Sequence, residues 1–402
     1  MSFIFCVLHG LTDSPLEDLE GLTPLQMASH PTLDYLAQQG NFLSLSPPVL
    51  GGLAGAFFAL FGIDRDAEKV AQGPMEAYSL GYDLKPEQVA FSVRFVSTSG
   101  GLIVDVSDAV LNEGEGREMC RSLNEAAGSL GLQFLHVQGP QAVLIATHPA
   151  LKKIASHQSA TPVQTVGRFW LDLLGEGLEV RNLMGQVQRV MAGHEINHLH
   201  AELEEPLANG LILSHGGYAL PASFWDSLNG VKETALGNSA DIVWMTGSVL
   251  SMGIASLLGI EVIQLPKEQR KYERLSFIRR VLPELIQEKR AVVIEIDYLW
   301  DSTLHGELLN KIKGIEFLDK NLIRPLLELS QSSGCHLAVL PLKHSDIRTG
   351  QLMPGAVPAV VFPCAESGCG VVRFDEGPLS AIVSRPLYSH NLCKRDVGER
   401  TG

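Results

Sequence analysis

His194-Glu195-Ile196-Asn197-His198 is the segment whose residue types and spacing most directly suggest chemistry. In H-E-x-x-H on a helix, the two imidazoles share one face and can hold zinc, while the glutamate activates a zinc-bound water. No third ligand follows at a usual spacing, although His200, Glu202, Glu204 and Glu205 lie close by. Motifs of this size also arise by chance in long chains, and a solvent-exposed helix start is the plainer reading. A zinc hydrolase is therefore the lesser alternative. No G-x-G-x-x-G or Walker loop lies between a strand and a helix, so no nucleotide cradle is indicated. Gly51-Gly52 and Gly100-Gly101 are expected turns, and Lys267-Glu268-Gln269-Arg270-Lys271-Tyr272 an expected solvated helix face.

The elements that would position such residues alternate. Residues 4–8 form a continuous apolar run, as in a parallel strand covered on both faces. Pro24 and Pro31 open helices, the second ended by Gly40. Further strand-like runs occupy 211–213, 240–245, 291–296, 336–340 and 359–362, with helical patterns at 270–287 and 308–330. This alternation predicts an α/β fold with a mostly parallel sheet flanked by helices. Residues 89–165 have another texture, with a β-β-α-β-β order, which predicts an inserted α+β cap. The expected domains are residues 1–88 and 186–402 for the core and 89–185 for the cap.

The 402 residues include 45 acidic against 31 basic side chains, a net charge of −14. No Lys/Arg stripe exists to release counterions, so neither nucleic acid nor an anionic membrane is an expected partner. The six cysteines contain no C-x-x-C pair, and free thiols are expected even for Cys364 and Cys369. Residues 242–260 carry no charge and approach the length of a membrane span, but a buried strand, turn and helix explains them better. The first residues lack a basic n-region, so a signal peptide is not expected and the protein is taken as cytoplasmic. The tail after Cys393 is charged and expected to fray.

Several motifs in shared order carry a family resemblance. The opening, Val7-Leu8-His9-Gly10 with the helices after it, is similar to a V-L-D-G start. Gly73-Pro74-Met75-Glu76-Ala77 resembles G-P-F-E-A, and Gly81-Tyr82-Asp83-Leu84-Lys85-Pro86 resembles G-I-D-L-K-P. Pro206-Leu207-Ala208-Asn209, Val357-Pro358 and Arg373-Phe374-Asp375-Glu376 complete the series. Together they resemble the archaeal-type cofactor-independent phosphoglycerate mutases, of the alkaline-phosphatase-like superfamily. The resemblance implies a metal-binding α/β core with an inserted cap and the site between them. It also implies a serine nucleophile and two divalent cations that clamp the attacking and leaving oxygens of an in-line displacement.

Carried over by position, that machinery is depleted. The metal-binding aspartate of V-L-D-G is His9, and the nucleophilic serine falls on Leu53. D-E-A-G-H survives in Asp301-Ser302-Thr303-Leu304-His305, A-D-H becomes Leu342-Lys343-His344, and a last histidine falls on Leu352. Candidate ligands for Mn²⁺ or Mg²⁺, or for Zn²⁺, are thus His9, Asp301, His305 and His344, with no catalytic nucleophile. At the substrate positions, arginines are replaced by Gln72, Ser92 and His215, leaving Arg94 and His215 as candidates. Guanidinium pairs are the usual holders of phosphate-bearing acids. A lysine beside a divalent cation repels it by several kcal/mol, so Lys343 is expected to replace a metal as counter-charge to a buried Asp301. The resemblance also accounts for His194 and Asn197, through the family's H-P-V-N.

The resulting expectation is a degenerate homologue that has lost phosphoryl transfer, needs no cofactor, and acts as a binding or scaffold protein. Its expected partner is a small phosphorylated or carboxylated metabolite, or another protein. The main alternative is an active mutase or phosphatase with a site rebuilt around one metal.

Overall fold

Residues 4–8 do form a strand, Phe3–Leu8, and its place at the centre of the sheet explains its composition. The structure, a computed structural model, describes residues 2–48, 52–63, 70–155, 162–174, 177–229, 233–234, 237–266, 271–363, 371–382 and 384–386. Cys364, Cys369, Cys393, the 267–270 charge cluster and the tail lie outside the described residues. The chain divides into two units, Met1–Lys69 with Ala222–Gly402, and Val70–Pro221.

The first unit is built on an eight-stranded sheet. Its order is Glu261–Gln264, Ile242–Thr246, Ala291–Ile296, Phe3–Leu8, His336–Leu340, Val357–Phe362, Asn41–Ser46 and Arg385–Pro386. The first five strands run parallel, and Val357–Phe362 is antiparallel to both its neighbours. Ile4, Phe5, Cys6 and Val7 are fully buried, as a strand covered on both faces requires. The uncharged stretch resolves into the strand Ile242–Thr246 and the helix Val249–Leu258, with Ser248 as N-cap. Among the described residues no helix is long and apolar enough to cross a membrane.

Buried polar groups fix the helices around this sheet. The expected single helix over 308–330 is Leu308–Leu318 and Arg324–Ser333 joined by a π-helical turn, Asp319–Ile323. The carboxylate of Asp319 accepts the Thr32 and Leu33 N–H groups at 3.1 and 2.8 Å, capping the Pro31–Gln39 helix. The Gly52–Leu60 helix is apolar nearly all round, and Ala54 to Leu60 are buried.

In the second unit, the long strand Val89–Ser99 lies at the centre of an antiparallel sheet. It pairs with Gln141–Ala146, with Leu102–Asp105 and with Gly210–Tyr218, and Leu132–Gln138 follows at the edge. Side chains alternate between the faces. Phe91, Val93 and Leu144 join one core with the Glu113–Ala127 and Leu178–Ala192 helices. Ala90, Val143 and Ile145 join another with Ala77 of the Gln72–Ser79 helix.

The second unit, Val70–Pro221, extends beyond the expected 89–185 at both ends. The Gln72–Ser79 helix covers one face of the cap's sheet, and residues 211–213, expected in the parallel sheet, belong to a strand antiparallel to Val89–Ser99. A short apolar run carries no information about which sheet it joins.

Cys6, Cys120 and Cys335 are free and buried.

Candidate functional site

In parallel α/β sheets, ligand sites gather at the carboxyl ends of the strands. Phe3–Leu8 delivers His9 there, beside Glu295 of Ala291–Ile296, through the register Val7↔Glu295 and Leu8↔Ile296. Both side chains are buried, 3% and 4% exposed, and His9 Nε2 lies 2.9 Å from Glu295 Oε1. Ser251 Oγ donates to the same oxygen at 3.0 Å. Thr246 Oγ1 and Trp244 Nε1 donate to Oε2 at 2.7 and 3.2 Å. Four donors therefore occupy a carboxylate that offers about four lone pairs. Phe57 stands edge-on to the His9 ring with centroids 5.5 Å apart, and its own ring lies 4.5 Å from Trp244. Phe61 packs on the same indole at 5.2 Å. Leu53 is in the first turn of the Gly52–Leu60 helix, which carries Phe57 and ends just before Phe61.

The other candidate ligands lie in different surroundings. Asp301 is on the short helix Tyr298–Leu304, with its carboxylate 3.4 Å from His305 Nδ1. Asp301 is 56% exposed, so this is a surface i,i+4 pair, worth a few tenths of a kcal/mol (about 0.3–0.5). Lys343 is buried, and its ammonium donates to the Pro48 carbonyl. The expected counter-charge to a buried Asp301 is thus not the arrangement found: Asp301 is exposed, and its carboxylate pairs with His305.

His344 begins a two-stranded ribbon in which Ser345 faces Leu352. Its Nε2 is 3.4 Å from Ser14 Oγ, and burial lowers its basicity.

A divalent cation in such a site needs several oxygen and imidazole donors pointing at one place. Among the described residues no group of three or more His, Cys, Asp or Glu is placed to hold a metal. His9 Nε2 is spent on Glu295, Asp301 with His305 forms a surface pair, and the buried Nδ1 atoms of His9 and His344, which lack a hydrogen-bond partner, belong to no such group. The donor set does not fit the cations that the resemblance implies.

Sequence inspection missed a second buried network in this unit. Lys311 and Asp13, both fully buried, pair at 2.5 Å. The ammonium also donates to Thr303 Oγ1 and Ser345 Oγ, and Asp13 accepts the N–H groups of Ser14 and Ile347. Burial pushes Lys311 down, opposed by the charge of Asp13. Glu376 accepts the Asp13 N–H and the Thr23 hydroxyl, and burial pushes it up to about 7. The signal was present: Lys311 shares a helical stripe with Ile315 and Leu318, and Glu295 interrupts an otherwise apolar strand.

In the second unit, Arg94 donates to the Val106 carbonyl and to Asp108, at 2.8 and 3.1 Å. His215 is exposed at φ +48° on Gly210–Tyr218. Gln72 and Ser92, at two former arginine positions, both donate to Glu76, at 2.7 and 2.6 Å. Burial raises the Glu76 carboxyl.

The H-E-x-x-H segment is not a zinc site. His194 is the extended N-cap of the Glu195–Glu202 helix, accepting the Ile196 N–H through Nδ1 and bonding Ser122 through Nε2. Both ring nitrogens of His194 are thereby engaged, which leaves neither for a metal. Asn197 bonds the backbone of Met191 and Ala208, and His200 faces Glu115.

Comparison with known proteins places this geometry in context. Residues 52–197 match the family model described as 2,3-bisphosphoglycerate-independent phosphoglycerate mutase. The chain is 26% identical over 397 residues to a probable 2,3-bisphosphoglycerate-independent phosphoglycerate mutase of Geobacter sulfurreducens, covering 94% of each. Among solved structures, the PH0037 protein from Pyrococcus horikoshii superposes with a TM-score of 0.65 at 19% identity, covering 98% of this chain and 95% of that one. The cofactor-independent phosphoglycerate mutase from Thermoplasma acidophilum matches at 0.50 and 22%, covering 97% of each.

Proposed function

Since this chain belongs to the 2,3-bisphosphoglycerate-independent phosphoglycerate mutase family, we propose that it has kept the family's architecture, has given up phosphoryl transfer, and serves as a binding or scaffold protein. The observation that carries this reading is His9 locked through Nε2 onto the buried Glu295 carboxylate, which takes four donors, where the resemblance calls for a metal-binding carboxylate. Leu53 offers no oxygen with which to attack phosphorus. The substrate positions support the same reading. Gln72 and Ser92 are engaged with Glu76, and Arg94 with Asp108, so these positions offer no free guanidinium pair. A phosphate-bearing acid would therefore bind weakly at those positions, and another protein is the partner that this reading favours. The surface placement of Asp301 and His305 speaks against the rebuilt one-metal enzyme.

The test is a coupled assay of 3- to 2-phosphoglycerate conversion on the purified chain with added Mn²⁺. Turnover indistinguishable from a no-enzyme control is expected. A rate within a hundredfold of an active relative assayed alongside would overturn the proposal.

A further inference from the structure

We propose that the His9–Glu295 couple, closed over by Phe57 and Trp244, does the structural work of a cation, so that this core holds together independently of metal. The inference rests on the reading of the chain as non-catalytic and adds what has replaced the metal. A carboxylate buried at the end of a strand destabilises the fold unless charge or hydrogen bonds compensate it. A divalent cation would supply charge. Glu295 instead gathers donors from three elements around its own strand: His9 after Phe3–Leu8, Trp244 and Thr246 from Ile242–Thr246, and Ser251 from Val249–Leu258. One side chain thereby cross-links two neighbouring strands and a helix.

The aromatic residues complete the replacement. Phe57 meets the His9 ring edge-on and packs on Trp244, while Phe61 covers the same indole and Phe58 packs on Phe224. The Gly52–Leu60 helix is anchored by these rings. A cation ligated by Glu295 would have to break the hydrogen bonds that its carboxylate accepts.

The experiment follows thermal unfolding of the full chain by circular dichroism in excess EDTA and then in excess MnCl₂. The wild-type midpoint is expected to be the same in both. His9→Asp would set a second, shorter carboxylate opposite Glu295, giving a pair of hard oxygen donors suited to Mn²⁺. Its midpoint is expected to fall by roughly 5–15 °C in EDTA and to recover in part with MnCl₂. His9→Gln keeps a neutral donor and is expected to remain indifferent to metal.

A wild-type midpoint that rises with MnCl₂ or falls with EDTA would overturn the inference, as would a folded His9→Asp variant that ignores MnCl₂. If His9→Asp does not fold, the wild type and His9→Gln still decide. A chain stabilised by metal yet inactive sinks this inference alone, whereas turnover in the mutase assay sinks the functional reading.

Discussion

Replacing Glu295 tests the central network most directly, because of the two informative variants one orphans its donors and the other can keep them. Glu295→Leu removes every acceptor. The Trp244 N–H can only donate and is left buried without a partner, at about 1–3 kcal/mol. The Thr246 hydroxyl also loses its acceptor while its oxygen still receives the Ser248 N–H, which restricts where it can turn. Ser251 has an escape, since in the first turn its hydroxyl can turn to the carbonyl of the N-cap Ser248, three residues back. The expected loss is therefore about 3–5 kcal/mol, a large part of the roughly 5–15 kcal/mol that stabilises a typical domain.

Glu295→Gln behaves differently. Its amide oxygen can keep Trp244 and Thr246, with the NH₂ turned to His9 and Ser251, both of which can accept. The loss is then about 1–2 kcal/mol, chiefly of charge assistance. Equilibrium urea unfolding followed by far-UV circular dichroism measures both. A glutamine variant as damaged as the leucine variant, or a leucine variant near wild type, would refute the reasoning.

Other consequences can be checked on the same preparations. Lys311→Met leaves the Asp13 carboxylate buried and uncompensated, so about 3–5 kcal/mol should be lost in urea unfolding. Adding Asp13→Asn to that variant should restore part of the loss. Glu376, raised in the folded state from 4.5 to about 7, binds more protons folded than unfolded between those values. Its contribution is therefore fully present below pH 4.5 and lost as pH rises through 7, by at most roughly 3 kcal/mol. Comparing urea midpoints at pH 5 and pH 8, Glu376→Gln should show a smaller drop than wild type.

The α/β core was legible where composition alone decides. Strands buried on both faces appear as uninterrupted apolar runs, and residues 242–260 resolve into strand, turn and helix because Thr246, Ser248 and the glycines break what would otherwise look like a membrane span. The cap's limits were not legible. Residues 211–213 are as apolar as a core strand, and only pairing with Val89–Ser99, more than a hundred positions away, assigns them.

The chemistry was harder still. H-E-x-x-H matched by residue type, but His194 is the N-cap and spends both ring nitrogens on the Ile196 N–H and Ser122. Asp301 and His305 are spaced as a pair wherever they fall on a helix, and spacing says nothing of exposure. Lys311 meets Asp13 from 298 positions away and Glu295 meets His9 from 286, so no local window could have revealed either partnership.

The position of Phe3–Leu8 within the sheet has a consequence for biosynthesis. Its two flanking strands, Ala291–Ile296 and His336–Leu340, are both made late. Once made, Phe3–Leu8 must therefore wait, with its greasy side chains unprotected, until about 330 residues have followed. Contacts so distant in sequence are slow to close. During that interval the nascent strand is an obvious client for a chaperone, and a premature stop before His336 would release a chain in which Phe3–Leu8 has lost one of its two partners.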